Sequence, residues 1–217
     1  MILIFFGSQK LFSQTPNNYL FEPVFEVNFS TEGPWSYSLG VSNRALLTKR
    51  VDGEEVSGYK NVHIEVSPFA KYETTENSAI QLGFRYRFRE MYNEENQDRF
   101  KLVEEYKYTT PDSFLSLSHR GRMEQKFRRE GTIFSFRYQL GISRPLGDEF
   151  SVGLSTEALY YISKHAKPDA EQRLSLEFSN SSLKNIELSA GIEYRLENYI
   201  HNRENTFFLN TGVSVDL

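Results

Sequence analysis

The run FLSLSHRGRMEQKFRREGTIFSFRYQLGISRP, residues 114–145, decides how the chain is read. It divides at the polar stretch Arg128-Arg129-Glu130-Gly131 into two arms of a β-hairpin. In the second arm Phe134, Phe136, Tyr138, Leu140 and Ile142 share one parity; Ser135, Arg137, Gln139, Gly141 and Ser143 share the other. In the first arm Ser116, Ser118, Arg120, Arg122, Glu124 and Lys126 stand against Leu115, Leu117, Met123 and Phe127, with His119, Gly121 and Gln125 interrupting the apolar set. Successive side chains of a strand point to opposite faces, so each arm has a greasy face and a charged one. A soluble sheet turns the greasy face inward. A membrane barrel turns it to lipid and lines its lumen with the charged face.

The same dyad recurs along the 217 residues. Residues 19–30, 35–42, 62–72, 79–89, 99–108, 150–161, 172–178, 186–197 and 206–217 alternate in the same way. With the two arms of the hairpin they make eleven segments, many close to the roughly 9–11 residues that a tilted strand needs to cross a bilayer. The cleanest is 79–89, where Ile80, Leu82, Phe84, Tyr86 and Phe88 oppose Gln81, Gly83, Arg85, Arg87 and Arg89. Pro23 lies on an apolar face and marks an edge or a bulge. Single-chain bacterial barrels usually have an even strand count. Parity therefore sets the expectation at ten or twelve: twelve with a further strand inside 43–60, around Asp52-Gly53, or ten without 99–108.

Composition narrows the function classes. Mean hydropathy is −0.53, and no apolar run approaches the roughly 18 residues of a membrane helix, which leaves strands as the only crossing element. Eighteen Phe and 13 Tyr against one Trp suit strands and interface girdles, and Trp35, Tyr72, Phe88, Tyr108 and Phe207 fall near strand ends. The net charge of −4 lacks the basic footprint of a nucleic-acid binder. With no cysteine, disulfide frameworks and thiolate metal sites are excluded. Residues 1–14, MILIFFGSQKLFSQ, read as a degenerate or truncated signal peptide, although the basic start is missing and Lys10 interrupts the apolar core. Residues 15–217 read as one barrel domain.

The fold class expected is thus all-β: an antiparallel up-and-down transmembrane β-barrel of ten or twelve strands in a bacterial outer membrane. The residues expected to line its lumen are Arg85, Arg87, Arg120, Arg122, Glu124, Arg137, Glu157, Arg173, Glu177, Glu193 and Arg195, with Glu65, Lys126 and Glu187 on the same faces. The two signs occur in similar numbers, which suits a salt-bridge lattice filling the barrel better than a single-sign selectivity ring. Expected partners are outer-membrane lipid and a small solute in the lumen; no cofactor, no metal and no enzymatic activity are expected. Two alternatives stay open. A lipid acylhydrolase would use His119, yet the adjacent Ser118 points to the opposite face. A soluble, lipocalin-like barrel would bury the same aromatic faces around an apolar ligand.

At HRGRMEQKF (119–127), FRYQLGISRPL (136–146) and QRLSLEFS (172–179) the chain resembles DUF2490, a domain family of unknown function. The resemblance rests on an arginine-and-glutamate strand (Arg120, Arg122, Glu124, Gln125), an Arg-Tyr strand (Arg137, Tyr138) and an Asn-Arg-Leu strand. The last is represented here by Gln172-Arg173-Leu174, a departure at its first position. It covers residues 79–217. It implies an outer-membrane β-barrel and brings no known activity.

Overall fold

The computed structural model describes residues 18–51, 54–88, 99–110, 115–128, 131–164, 167–201 and 203–217. They form β1 (Asn18–Ser30), β2 (Trp35–Val51), β3 (Glu54–Thr75), β4 (Ser78–Phe88), β5 (Arg99–Thr109), β6 (Ser116–Arg128), β7 (Gly131–Pro145), β8 (Phe150–Ser163), β9 (Asp169–Leu183), β10 (Ile186–Glu197) and β11 (Glu204–Asp216). Each strand pairs with its neighbours in sequence, and β1 closes on β11, so the sheet is a barrel without a free edge.

The strand count differs from the expectation of ten or twelve: the described residues form eleven. An up-and-down sheet with an odd count brings its first and last strands together pointing the same way. The seam is accordingly the one parallel ladder, running from Asn18↔Thr206 to Asn28↔Asp216. The further strand expected within 43–60 is no separate element. Those residues lengthen β2 and β3 past the last β3–β4 pair, Ile64↔Phe88, with β1 still paired to β2 as far as Asn18↔Lys49. Nor is β5 dispensable, since it pairs with β4 and β6 over its length. Pro23 lies in β1 where pairing to β2 lapses between Phe21↔Ala45 and Val24↔Ser42, as its missing N–H requires. The segment 1–14, Asp52-Gly53 and Pro111-Asp112 lie outside the described residues.

The connections sort by rim. At one rim they are residues 31–34, 76–77, 110–115, 146–149 and 184–185. At the other they are residues 52–53, 89–98, 129–130, 164–168 and 198–203, which include the longest connection, 89–98. The first set is termed the near rim and the second the far rim.

Burial is inverted relative to an ordinary globular domain. Among the described residues only Ala45, Val103, Leu159, Ala170 and Phe208 are buried apolar residues. Eleven polar or charged residues are buried, among them Glu65, Lys101, Glu124, Glu157, Glu171 and Arg195. The outer face carries the large apolar side chains, from Phe25, Leu39 and Leu82 to Phe136, Leu174 and Leu209. Aromatics gather toward both ends of the strands. Tyr19, Phe88, Phe100 and Phe127 lie near the far rim, with ring centroids 5.8 Å apart for Phe100–Phe127. Phe29, Trp35, Tyr72 and Phe150 lie near the near rim, with Trp35–Tyr72 at 4.9 Å.

On the inner face, small residues let neighbouring strands crowd. A Cβ added at Gly191 would stand 2.7 Å from the Leu176 carbonyl oxygen, whereas at Gly153 the nearest atom is 3.9 Å away. Gly191→Ala is therefore expected to cost about 1–3 kcal/mol of folding stability through overpacking. Gly153→Ala should be neutral or stabilising by up to about 1 kcal/mol. Urea unfolding of the two variants against the parent checks this.

Candidate functional site

The inward-facing parity of every strand supplies charge, and β11 adds an aromatic ring. Three carboxylates act as hubs. Glu124 on β6 accepts from Arg137 at 3.3 Å, with Lys126 at 3.7 Å and Arg122 at 3.8 Å. Glu157 on β8 holds Arg120 at 3.1 Å, Arg137 at 3.2 Å and Arg173 at 3.4 Å. Glu65 on β3 holds Arg87 at 2.6 Å and Arg85 at 3.5 Å, with Lys101 at 3.9 Å. Shared cations join two of these hubs, Glu124 and Glu157, into one chain. Arg122 reaches Glu105 at 2.6 Å as well as Glu124, and Arg137 bridges Glu124 to Glu157. Arg173 carries the chain on to Glu171 at 2.5 Å. The path Glu105–Arg122–Glu124–Arg137–Glu157–Arg173–Glu171 thus crosses β5 to β9 without a break.

The rest of the ring is built differently. Arg195 pairs with Glu193, and Arg44 with Glu22 at 2.5 Å. Between the two arginines lies Phe208 of β11, its ring centroid 3.7 Å from the Arg195 guanidinium carbon and 4.9 Å from that of Arg44. The buried ring lets two like charges share one wall, each facing an aromatic surface in place of the other guanidinium.

These groups enclose a central cavity of about 230 Å³. Of the residues expected to line the lumen, Arg85, Arg87, Arg120, Arg122, Arg137, Glu157, Arg173, Glu193 and Arg195 border it. Glu124, with no exposed side-chain surface, stands behind them and joins through its ion pairs. Glu177 lies elsewhere, in a second cavity of about 350 Å³ bordered also by Glu22, Glu26, Glu187 and Ser189. A third, of about 270 Å³, opens between Glu26, Lys71, Gln81 and Asp216. Charge is thus divided along the axis, with a crowded, mixed-sign lattice in the far half. Toward the near rim lies a roomier stretch where carboxylates outnumber cations, walled by Ser38, Ser67, Ser118, Gly141, Ser155, Ser189 and Gly212. Four polar atoms of the lattice have no hydrogen-bond partner within the protein among the described residues: Nε of Arg85, Arg120 and Arg137, and Oε1 of Glu124.

Sequence reasoning missed Glu22, Arg44, Lys101, Glu105, Glu171, Glu197 and the inward Phe208. Glu22, Lys101, Glu105 and Phe208 were readable, since each has the inward parity of its strand. Arg44 and Glu171 lie outside the alternating segments, within 43–60 and between 150–161 and 172–178. On the outer face, His119 Nδ1 is 2.7 Å from the Tyr138 hydroxyl, while Ser118 faces inward against Gly141, so the two do not pair. Among the described residues no group of His, Asp and Glu could hold a metal ion.

Removing one member of a buried pair leaves its partners charged and unmatched, which costs about 3–5 kcal/mol. Glu124→Leu is expected to lose stability on that scale. In the double variant Glu124→Leu with Arg137→Met the losses should fail to add, by about 0.5–3 kcal/mol. A double-mutant cycle by urea unfolding measures the shortfall.

No curated protein matches the chain in sequence. The family model described as a protein of unknown function, DUF2490, matches residues 24–206, reaching back from the motif-bearing strands almost to the start of β1. The closed barrel and the match over most of its length agree, and the chain belongs to the DUF2490 family.

Proposed function

We propose that this protein is an outer-membrane β-barrel of the Gram-negative cell envelope. Its outward apolar faces meet lipid, and its lumen is a wet, charge-laced constriction that contacts small polar solutes. The inverted burial carries this reading. A water-soluble barrel that exposes Phe136, Leu82 and Leu174 while burying Glu124, Lys101 and Arg195 would set both faces against their solvent. The interior likewise lacks the apolar lining that a lipocalin-like ligand site needs. The two aromatic zones at the strand ends fit the two interfaces of a bilayer.

The solute reading rests on the lattice. Ten cations and six carboxylates border the central cavity, and orphaned donors among them are groups that water or a small polar solute satisfies. Mixed charge in a narrow passage admits little and selects weakly by sign. No catalytic step belongs to this proposal: the ring hydrogen bond of His119 goes to a tyrosine, and the serine beside it in sequence faces the other side.

The protein is expected in the membrane fraction, with an electrophoretic mobility that shifts on boiling. Leu176→Arg, at the middle of β9 on the outer face, should cost about 2–4 kcal/mol near the bilayer midplane. A change under about 0.5 kcal/mol would mean that this face meets water. In planar bilayers, Arg137→Ala combined with Glu157→Ala should raise single-channel conductance several-fold; unchanged conductance would show that the lattice is not the constriction. Lipid-ester turnover should stay at background in the parent and in His119→Ala. Turnover that the substitution abolishes would replace this reading with that of a lipid hydrolase.

A further inference from the structure

On the outer face of β5 a charged residue stands within the apolar band. Glu104 is the sixth of the eleven residues of β5, flanked across the ladders by Leu82 and Met123. Its parity partners Leu102 and Tyr106 point outward, and its carboxylate has no ion-pair or hydrogen-bond partner among the described residues. One row away, Tyr106, Gly121 and Tyr138 stand side by side on β5, β6 and β7. Both tyrosines are about half exposed, and Tyr138 shares its hydroxyl with His119. Gly121 forms the floor of a groove of about 750 Å³ walled by Ile80, Leu82, Met123 and Phe136. The barrel does not need a glycine here: an added Cβ would meet nothing within 4 Å, unlike at Gly83, Gly191 or Gly212. What its smallness provides is room on the outside.

We infer that this groove is the contact face of a homodimer in which a second copy of the chain packs Gly121 against Gly121. The inference rests on the membrane placement proposed above. Glu104 would then lie mid-depth in the hydrocarbon, where acyl chains offer no donor and lipid headgroups do not reach. Only protein can answer it there. A two-fold axis along the membrane normal sets every residue of one copy at the depth of its equivalent in the other. Because Glu104 and Tyr138 lie on opposite flanks of Gly121, the same axis brings Glu104 of one copy to the Tyr138–His119 pair of the other, and the reverse. That pair always presents a donor. If the Tyr138 hydroxyl donates to Nδ1, the free Nε2 of His119 carries a proton; if Nδ1 donates, the hydroxyl proton of Tyr138 is free. The face thus carries both an unmatched acceptor and a donor for a second copy, with a glycine between them allowing close approach as in other membrane contacts.

The chain has no cysteine, so single-cysteine variants report on this face directly. Full-length Gly121→Cys in lipid vesicles, treated with a mild oxidant, should form a disulfide-linked dimer. Its yield should be several-fold that of Leu209→Cys on β11, across the barrel. Because a cysteine could itself disturb the contact, cysteine-free protein in detergent is weighed as well. The parent should have the mass of a dimer, and Gly121→Phe that of a monomer. Glu104→Leu should weaken association several-fold, although the same change would only suit a lipid-facing site better; Tyr138→Phe should weaken it too, and the two losses should not add. A heat-shifting, membrane-inserted monomer whose Gly121→Cys links no more than Leu209→Cys overturns the dimer and leaves the barrel reading intact. A monomer that copurifies with lipid lost in Gly121→Phe overturns it in favour of a lipid groove. Protein missing from the membrane fraction removes both readings at once.

Discussion

Arg137 donates to two carboxylates from its two neighbouring strands, Glu124 of β6 and Glu157 of β8, and the interior of the barrel depends on sharing of this kind. An eight-stranded barrel is just narrow enough for ordinary side chains to fill. Eleven strands enclose more width, and the inner wall is filled by long arginine and glutamate side chains that meet those of the neighbouring and next-neighbouring strands. Such charges are costly away from bulk water unless each is matched. The lattice resolves this by giving its most buried carboxylates three cations each and its bridging cations two carboxylates. Substitution of one member therefore acts on its neighbours, and the energy belongs to the network more than to any pair.

The division of the lumen follows from the same sequence pattern. Toward the far rim the inward positions hold long charged side chains, and the passage is crowded. Toward the near rim they hold serine and glycine, and space remains between carboxylates such as Glu26, Glu177 and Glu187. From the near rim inward the lumen is first wide and acidic, then narrow and richer in cations. A change of sign along one axis discriminates against ions of either charge more than a uniform lumen would.

Most of this was legible in the chain because strand alternation is a local signal. The parity of residues 134–143 placed Arg137 and Phe136 on opposite faces, and each of the eleven alternating segments became a strand. What failed was whatever depends on the whole sheet. The strand total was bent toward an even number by a general expectation, and no local pattern shows that β1 and β11 meet in parallel. Within residues 43–60 charge and Gly58 obscure the alternation, so the expectation of a further strand stands where two existing strands are extended and carry Arg44 to the lumen. Gly121 was visible as a blemish on an apolar face, and Glu104 was not singled out. Their place one row apart on β5 and β6 depends on register, which the sequence leaves open.

The parallel seam has a kinetic consequence. Ten of the eleven ladders join strands adjacent in sequence, so each requires the closing of only a short loop. The eleventh joins residues 186 and 188 positions apart, as in the hydrogen bonds from Asn28 to Ser214 and to Asp216. Loop-closure entropy grows slowly with length, but this one contact must order nearly the whole chain, and nothing local assists it. Until it forms, the sheet has two unpaired edges, those of β1 and β11. Assembly is therefore expected to proceed hairpin by hairpin and to pause as an open, curved sheet, with closure of the seam as its slow and final step.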